Sequence, residues 1–245
     1  MNNTVKNLLA AALLAGLLWF AWRLVFSPDR AARNLALARR EIATRVLAEA
    51  VAGELPGKQA LVISNPFTQQ PAQPAEVYAF EAAGVAGLRA GFGQALRLQA
   101  VAFPELNPAA LQNPESLPMD PDTTTPLSFL TAEGAWDALL KKYPGADVLI
   151  SLIGVPLDLP RLEVWRRPKP RFALLLPDLR MIGGLPAVRE AFRNGKLVAA
   201  VLNKPGAPPE TASLARDYRA EFDARFVLVT ARNLDDVVRA YPRAF

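Results

Sequence analysis

The chain contains neither cysteine nor histidine in its 245 residues. That excludes disulfides, thiol nucleophiles, zinc sites of the usual Cys/His kind and any Ser-His-Asp triad. Catalysis would have to run on Asp, Glu, Lys, Ser, Thr or Tyr, or on a borrowed cofactor or metal. No constellation of that kind stands out, so no catalytic residue, metal ligand or cofactor is assigned. Net charge is also scarce where nucleic-acid binding would need it. The pI near 9.7 invites that reading, but residues 1–53 hold seven Lys/Arg against three Asp/Glu, and the remainder holds 21 against 20. The basicity belongs to the N-terminal flank, where it attracts anionic lipid headgroups, and nucleic acid is not expected as a partner. A phosphate-binding glycine loop is missing too. Gly84, Gly87, Gly91 and Gly93 fall inside or at the end of a helical pattern and read as close helix packing, with Gly93 as a cap.

What the chain does have is a long apolar start. From Leu8 to Phe26 there is one charge, Arg23, placed near the end where an arginine snorkels to the headgroups. About 19 helical residues span roughly 28 Å, the thickness of a bilayer's hydrocarbon core. Trp19, Phe20 and Trp22 cluster at the interfacial end. No small-x-small site lies close behind the run, since Ala36-Leu37-Ala38 is too far downstream, so the sequence predicts an uncleaved, single-pass signal anchor over residues 1–26. Orientation is contested. The arginines after the run favour a cytoplasmic domain by the positive-inside rule, whereas the short tail before it is laid out like a signal anchor that exports the downstream domain. The extracytoplasmic placement is preferred.

Residues 27–56 read as a stalk or packing helix, with Ser27-Pro28-Asp29 as its start and Leu35, Ile42, Val46 and Ala50 at helical spacing. Residues 57–245 read as one globular domain. Its strands are expected at 59–64, 96–103, 147–153, 171–176, 196–202 and 225–230, several of them continuously apolar. Helices are expected at 76–92, 131–143, 185–194, 210–222 and 234–241. Uninterrupted apolar strands alternating with helices predict an α/β fold: a doubly wound, mostly parallel sheet of about six strands with helices on both faces. Residues 104–126 and 154–170 are proline-rich and expected to be irregular.

Ala60-Leu-Val-Ile-Ser-Asn-Pro-Phe67, the segment Phe80 to Gly93 with its spaced glycines, and Leu96 to Ala102 together resemble the opening strand, helix and strand of type I periplasmic-binding-protein domains. Ala146 to Ser151 and Ala187 to Lys196 are similar to later elements of that group. The resemblance implies a fold of that kind. About 190 residues are too few for two full lobes around a cleft.

In an open α/β sheet, ligands bind beyond the carboxyl ends of the strands. Those ends carry Asn65, Phe67, Asp178, Asn203, Lys204 and Arg232, small polar or charged groups suited to hydrogen-bonding a small ligand. Convergence of Asn65, Asp178, Asn203 and Arg232 on one edge is expected, because parallel strands share a direction. A second candidate surface is the run from Arg161 to Arg171, where Arg161, Trp165, Arg166 and Arg167 offer a contact for a partner or a membrane surface. The leading reading is a non-enzymatic, membrane-anchored domain that binds a small ligand or a partner protein. The alternatives are a structural subunit of a membrane assembly, or an enzyme using Ser64, Asp178 or Lys204.

Overall fold

The computed structural model describes residues 28–113, 117, 123 and 125–245. The anchor expected over residues 1–26, and with it the orientation, lies outside the described residues. Among those described, no helix is long and apolar enough to cross a membrane.

The described residues begin with α1 (Pro28–Glu54) and then alternate strands and helices. The strands are β1 (Gln59–Ile63), β2 (Arg97–Ala102), β3 (Val148–Ser151), β4 (Arg171–Leu175), β5 (Leu197–Asn203) and β6 (Phe226–Thr230). They form one sheet in the order β2-β1-β3-β4-β5-β6. The first five are parallel, and β6 alone runs antiparallel, pairing Asn203 with Phe226 and Ala199 with Thr230. The remaining helices are α2 (Ala75–Phe92), α3 (Pro108–Gln112), α4 (Ala135–Lys142), α5 (Glu163–Arg166), α6 (Leu185–Arg193), α7 (Tyr218–Arg225) and α8 (Leu234–Ala240).

The apolar strands are explained by burial on both faces. Alternate residues point to opposite sides of a strand. Ala60 and Val62 of β1 join Ile150 and Leu175 in a core shared with Leu47 of α1, Leu88 of α2 and Phe222 of α7. Leu61 and Ile63 join Leu149 and Phe172 in a second core with Trp136 of α4, Phe192 of α6 and Val237 of α8. Helices therefore cover both faces. Val46, Leu47, Ala48 and Val51 of α1 are essentially without exposure, so its C-terminal half is a layer of the fold.

Helices α1 and α2 meet at glycine. A Cβ at Gly87 would stand 2.1 Å from the Glu41 carbonyl oxygen and from Thr44 Oγ1, and one at Gly91 would stand 2.3 Å from the Arg45 carbonyl oxygen. Only hydrogen fits there. Gly93 ends α2 at φ +50°, a backbone that L side chains rarely adopt, and its N–H closes the last turn on the Arg89 carbonyl.

Several assignments differ from the sequence expectation, α5 within the stretch 154–170 among them. Helix α4 starts at Ala135, because Thr131 pairs with Leu106 in an isolated bridge and Gly134 takes a left-handed conformation. Helix α7 starts at Tyr218, where the Asp217 side chain accepts from the Ala220 N–H, after an irregular stretch behind Pro208-Pro209. The stretch 104–126 is not wholly irregular: Asn107 accepts from the Ala109 N–H and Pro108 opens α3, a start signal in its own right.

Candidate functional site

In a sheet ordered 2-1-3-4, strand connectivity reverses between β1 and β3, and the carboxyl ends there usually frame the ligand crevice. Here the chain's own side chains fill it. Helix α1 runs against the strands and brings Arg40 over β3, where Nη2 donates to the Leu152 carbonyl at 3.1 Å. Glu81 of α2 lies 3.4 Å from Arg40 and accepts from Ser64 Oγ at 2.5 Å. Phe80 carries the Arg40 guanidinium 4.6 Å from its ring centroid. Ser64, Glu81, Arg40, Ser151 and Leu152 are all buried.

Open space lies instead beside β4 and β5. A cavity of about 520 Å³ on one side is lined by Pro177, Asp178, Arg180, Leu202, Arg243 and Ala244, together with Leu176 and Asn203. A second, of about 380 Å³, lies on the α1 side and is lined by Arg39, Arg40, Lys204, Glu210 and Arg225, again with Leu176 and Asn203. Leu176 and Asn203 thus form the wall between them. Leu176 sits at φ +47°, a left-handed conformation that L side chains rarely take, and its N–H is fixed to the Val201 carbonyl at 2.8 Å. Strain of this kind concentrates at ligand clamps and switch points. Both volumes fall in the range of small-molecule sites.

Of the residues singled out from sequence, the structure brings Asp178 and Asn203 together in the larger cavity, and Asn203 and Lys204 in the smaller. Asp178 is buried and grips Arg180 with both oxygens, Nε to Oδ1 at 2.9 Å and Nη2 to Oδ2 at 2.6 Å. Lys204 Nζ donates to the Asp223 carbonyl at 2.8 Å. Asn65 belongs elsewhere: its side chain caps a short 3-10 turn by accepting from the Phe67 N–H at 3.0 Å. Phe67 packs into a satellite apolar cluster with Leu106, Ala110 and Leu130. The expected convergence fails for Arg232. Because β6 is antiparallel, its end lies at the opposite edge of the sheet, and Arg232 there pairs with Glu54 at 2.5 Å. The three residues of the enzymatic alternative are engaged separately, Ser64 by Glu81, Asp178 by Arg180 and Lys204 by a carbonyl.

The basic run also lies at the other edge, ahead of β4. Trp165 is half-buried, with its ring edge-on to Phe172 at 5.0 Å, which ties the loop to the core. Arg161 pairs with Glu133 at 3.1 Å, Arg166 Nε donates to the Pro160 carbonyl at 3.2 Å, and Arg167 pairs with Glu163.

The strongest polar cluster was not legible as a site. Arg39 of α1 and Arg225 of α7, both buried, share Glu221: Arg39 Nε lies 3.1 Å and Arg225 Nε 2.6 Å from its Oε1. The Ala215 N–H binds its other oxygen at 2.8 Å. Burial pushes the Glu221 carboxyl up, but that N–H and the two guanidiniums outweigh it and hold the group below its ordinary value of 4.5. For Arg40, burial lowers the value, with Glu81 opposing. One signal was present in the sequence. Arg39 sits four residues after Leu35 and three before Ile42, a charge inside the apolar stripe.

No family model matches the chain, and no curated protein matches it. Among solved structures, it is similar to a substrate-binding protein of a sugar ABC transport system from Bordetella parapertussis: 14% identity, 66% of this chain and 41% of that one covered, TM-score 0.39. It is also similar to an ABC-transporter solute-binding protein from Bradyrhizobium sp. BTAi1 with bound Bis-Tris: 13% identity, 84% and 54% covered, TM-score 0.43. The chain spans about half the length of these structures. Similarity at that distance carries no argument about the site; the strand order and the cavities do.

Proposed function

We propose that this chain is a non-enzymatic, membrane-anchored α/β domain that captures a small polar ligand at the carboxyl ends of β4 and β5. One observation carries the reading: two cavities of ligand size meet at a shared wall, Leu176 and Asn203, at the edge where open α/β sheets bind ligands. The strained backbone at Leu176 supports it. The anchor rests on the apolar run Leu8 to Phe26 and its aromatic end.

The test is a thermal-shift panel of small carboxylates, phosphates, amino acids and sugars on the full chain in detergent, run beside an Asn203→Leu variant. At least one solute is expected to stabilise the parent chain and to lose that effect in the variant. A solute that stabilises both proteins equally would place binding elsewhere. Recovery of the protein in the soluble fraction after membrane fractionation would refute the anchor.

A further inference from the structure

Among the described residues, the two buried guanidiniums of Arg39 and Arg225 have only one buried carboxylate, Glu221, between them. One positive charge is left over in a water-poor place, and an uncompensated buried charge is strongly destabilising. It is met from outside by Glu210, whose side chain is 82% exposed and lies on the irregular stretch behind β5. Its Oε2 lies 2.9 Å from Arg39 Nη1, and its Oε1 lies 3.6 Å from Arg225 Nη1. A single solvent-borne carboxylate therefore bridges both arginines at the wall of the smaller cavity.

The lining of that cavity has the same bias. Among the described residues, Arg39, Arg40, Lys204 and Arg225 face it against Glu210 alone. Arg40 brings its own partner, Glu81, yet its Nε has none. The backbone carbonyls that Arg39 and Arg225 also hold, those of Glu210, Ala212, Pro208 and Pro209, fix both guanidiniums in place without cancelling their charge. The result is a preorganised pair of forked donors, the geometry that recognises planar or tetrahedral oxyanions.

From this geometry we infer that Arg39 and Arg225 form a receptor for a small oxyanion, the carboxylate or phosphate group of a ligand, and that the Glu210 side chain competes with that group for it. The inference rests on the reading of this edge as a ligand site and adds the chemical class taken by the smaller cavity. A ligand oxyanion entering from the cavity side replaces the Glu210 carboxylate on Arg39 Nη1 and Arg225 Nη1. The Arg39–Glu221–Arg225 core stays as it is. A purely structural network, which only pins the loop from 205 to 217, shares the loss of stability when the Glu210 charge is removed but predicts no gain in anion affinity and no recovery with anion.

The experiment uses the full chain in detergent, titrated with sodium phosphate and, separately, sodium acetate, against sodium chloride at constant ionic strength. Binding is read by calorimetry and by the thermal midpoint. Glu210→Gln, an exposed change that leaves the loop's carbonyl contacts available, is compared with the parent and with Arg193→Ala, a charge-loss control at the opposite edge. Glu210→Gln is expected to bind one or both anions about tenfold more tightly than the parent, as removal of a competitor worth about 1.4 kcal/mol would give. Its midpoint should recover with the anion and not with chloride, and Arg193→Ala should behave as the parent. A gain with phosphate alone marks a phosphate ligand; a gain with acetate alone, or with both, marks a carboxylate or a general oxyanion site. Equal affinities in the parent and Glu210→Gln for both anions overturn the inference. If that happens while Asn203→Leu still abolishes binding of another solute, the edge remains a ligand site and only the oxyanion class falls. If no solute binds any of these proteins, both readings fall together.

Discussion

The two edges of the sheet each offer a concavity of similar size, and they differ in what their charges do. At the amino edge, a cavity of about 460 Å³ is lined by three acids, Asp137, Asp147 and Glu163, and three bases, Lys141, Arg167 and Lys169. The buried or capping groups around it are tied to backbone. Asp137 accepts from the Glu163 and Val164 N–H groups at 2.9 and 2.8 Å, and Asp147 accepts from the Gln59 N–H at 3.1 Å. Lys196 Nζ donates to the carbonyls of Val164, Arg167 and Pro170 at 2.6–2.7 Å. At the carboxyl edge, bases outnumber acids in both cavities, and in the smaller one the only acid in the lining among the described residues is the exposed Glu210. Concavity alone therefore does not mark a site. The amino edge is a neutral joint that holds loops to strands, and the carboxyl edge keeps charge in reserve.

The largest expected effect comes from removing the element common to both edges. A fragment of residues 57–245 lacks α1 and with it the buried Val46, Leu47, Ala48 and Val51. Each fully buried Val or Leu is worth about 1.5–3 kcal/mol, so the loss approaches the whole stability of an ordinary domain. The fragment is expected to show no cooperative unfolding transition by circular dichroism, whereas one beginning at Pro28 should show it. Equal transitions would mean that α1 is an appendage, and that Arg39 and Arg40 reach the edge by accident of docking.

Glu221→Gln strikes the carboxyl edge alone. It strips two buried guanidiniums of their shared carboxylate, and breaking such a pair costs about 3–5 kcal/mol. The pH dependence has a definite sign. Because the folded Glu221 value lies below the ordinary 4.5, the parent's advantage over the variant is fully present above 4.5. It fades as pH falls through the lowered folded value. Denaturant midpoints of the two proteins across acid pH provide the check, and a gap that does not narrow toward low pH would contradict the network.

Lys196→Met strikes the amino edge alone and leaves three carbonyls without their donor, at a cost of about 1–3 kcal/mol. Burial lowers the Lys196 ammonium from 10.5 to about 8. The unfolded chain then binds more protons than the folded one between those values, so this group makes the parent more stable as pH rises from about 8 toward 10.5. The variant should lack that rise, as paired urea melts at pH 7.5 and 10 would show. Ligand binding at the carboxyl edge should be unchanged in Lys196→Met. The smallest effect belongs to Arg161→Ala, whose pairing with Glu133 is exposed on both sides. A change within about 0.5 kcal/mol is expected from chemical denaturation.

The fold was legible because its strands are buried twice over. Ala60 to Ile63 and Phe172 to Leu175 show no polar alternation, and that pattern requires cover on both faces. Gly87 was legible as packing for the same kind of reason, since nothing but a close neighbour explains glycines spaced along one helix. The site was only half legible. Asp178 follows β4 and Asn203 ends β5, strands that are adjacent in space, so their meeting followed from direction once the order was known. Arg232 misled because nothing local to Phe226 to Thr230 tells an antiparallel edge strand from a parallel one. The arginine pair was missed because Arg39 and Arg225 are 186 positions apart and join only through α1 lying against α7. A charge inside an apolar stripe signals that a partner must exist, but not which one.

The central claim is that ligand capture belongs to the carboxyl edge, and hydrogen exchange on the full chain tests it most directly. The amides of 176–180 and 203–212 should gain protection in the presence of the tightest-binding solute of the panel, while those of 144–147 and 163–170 stay as they were. Protection confined to 144–147 and 163–170, with no change beyond β4 and β5, would contradict it.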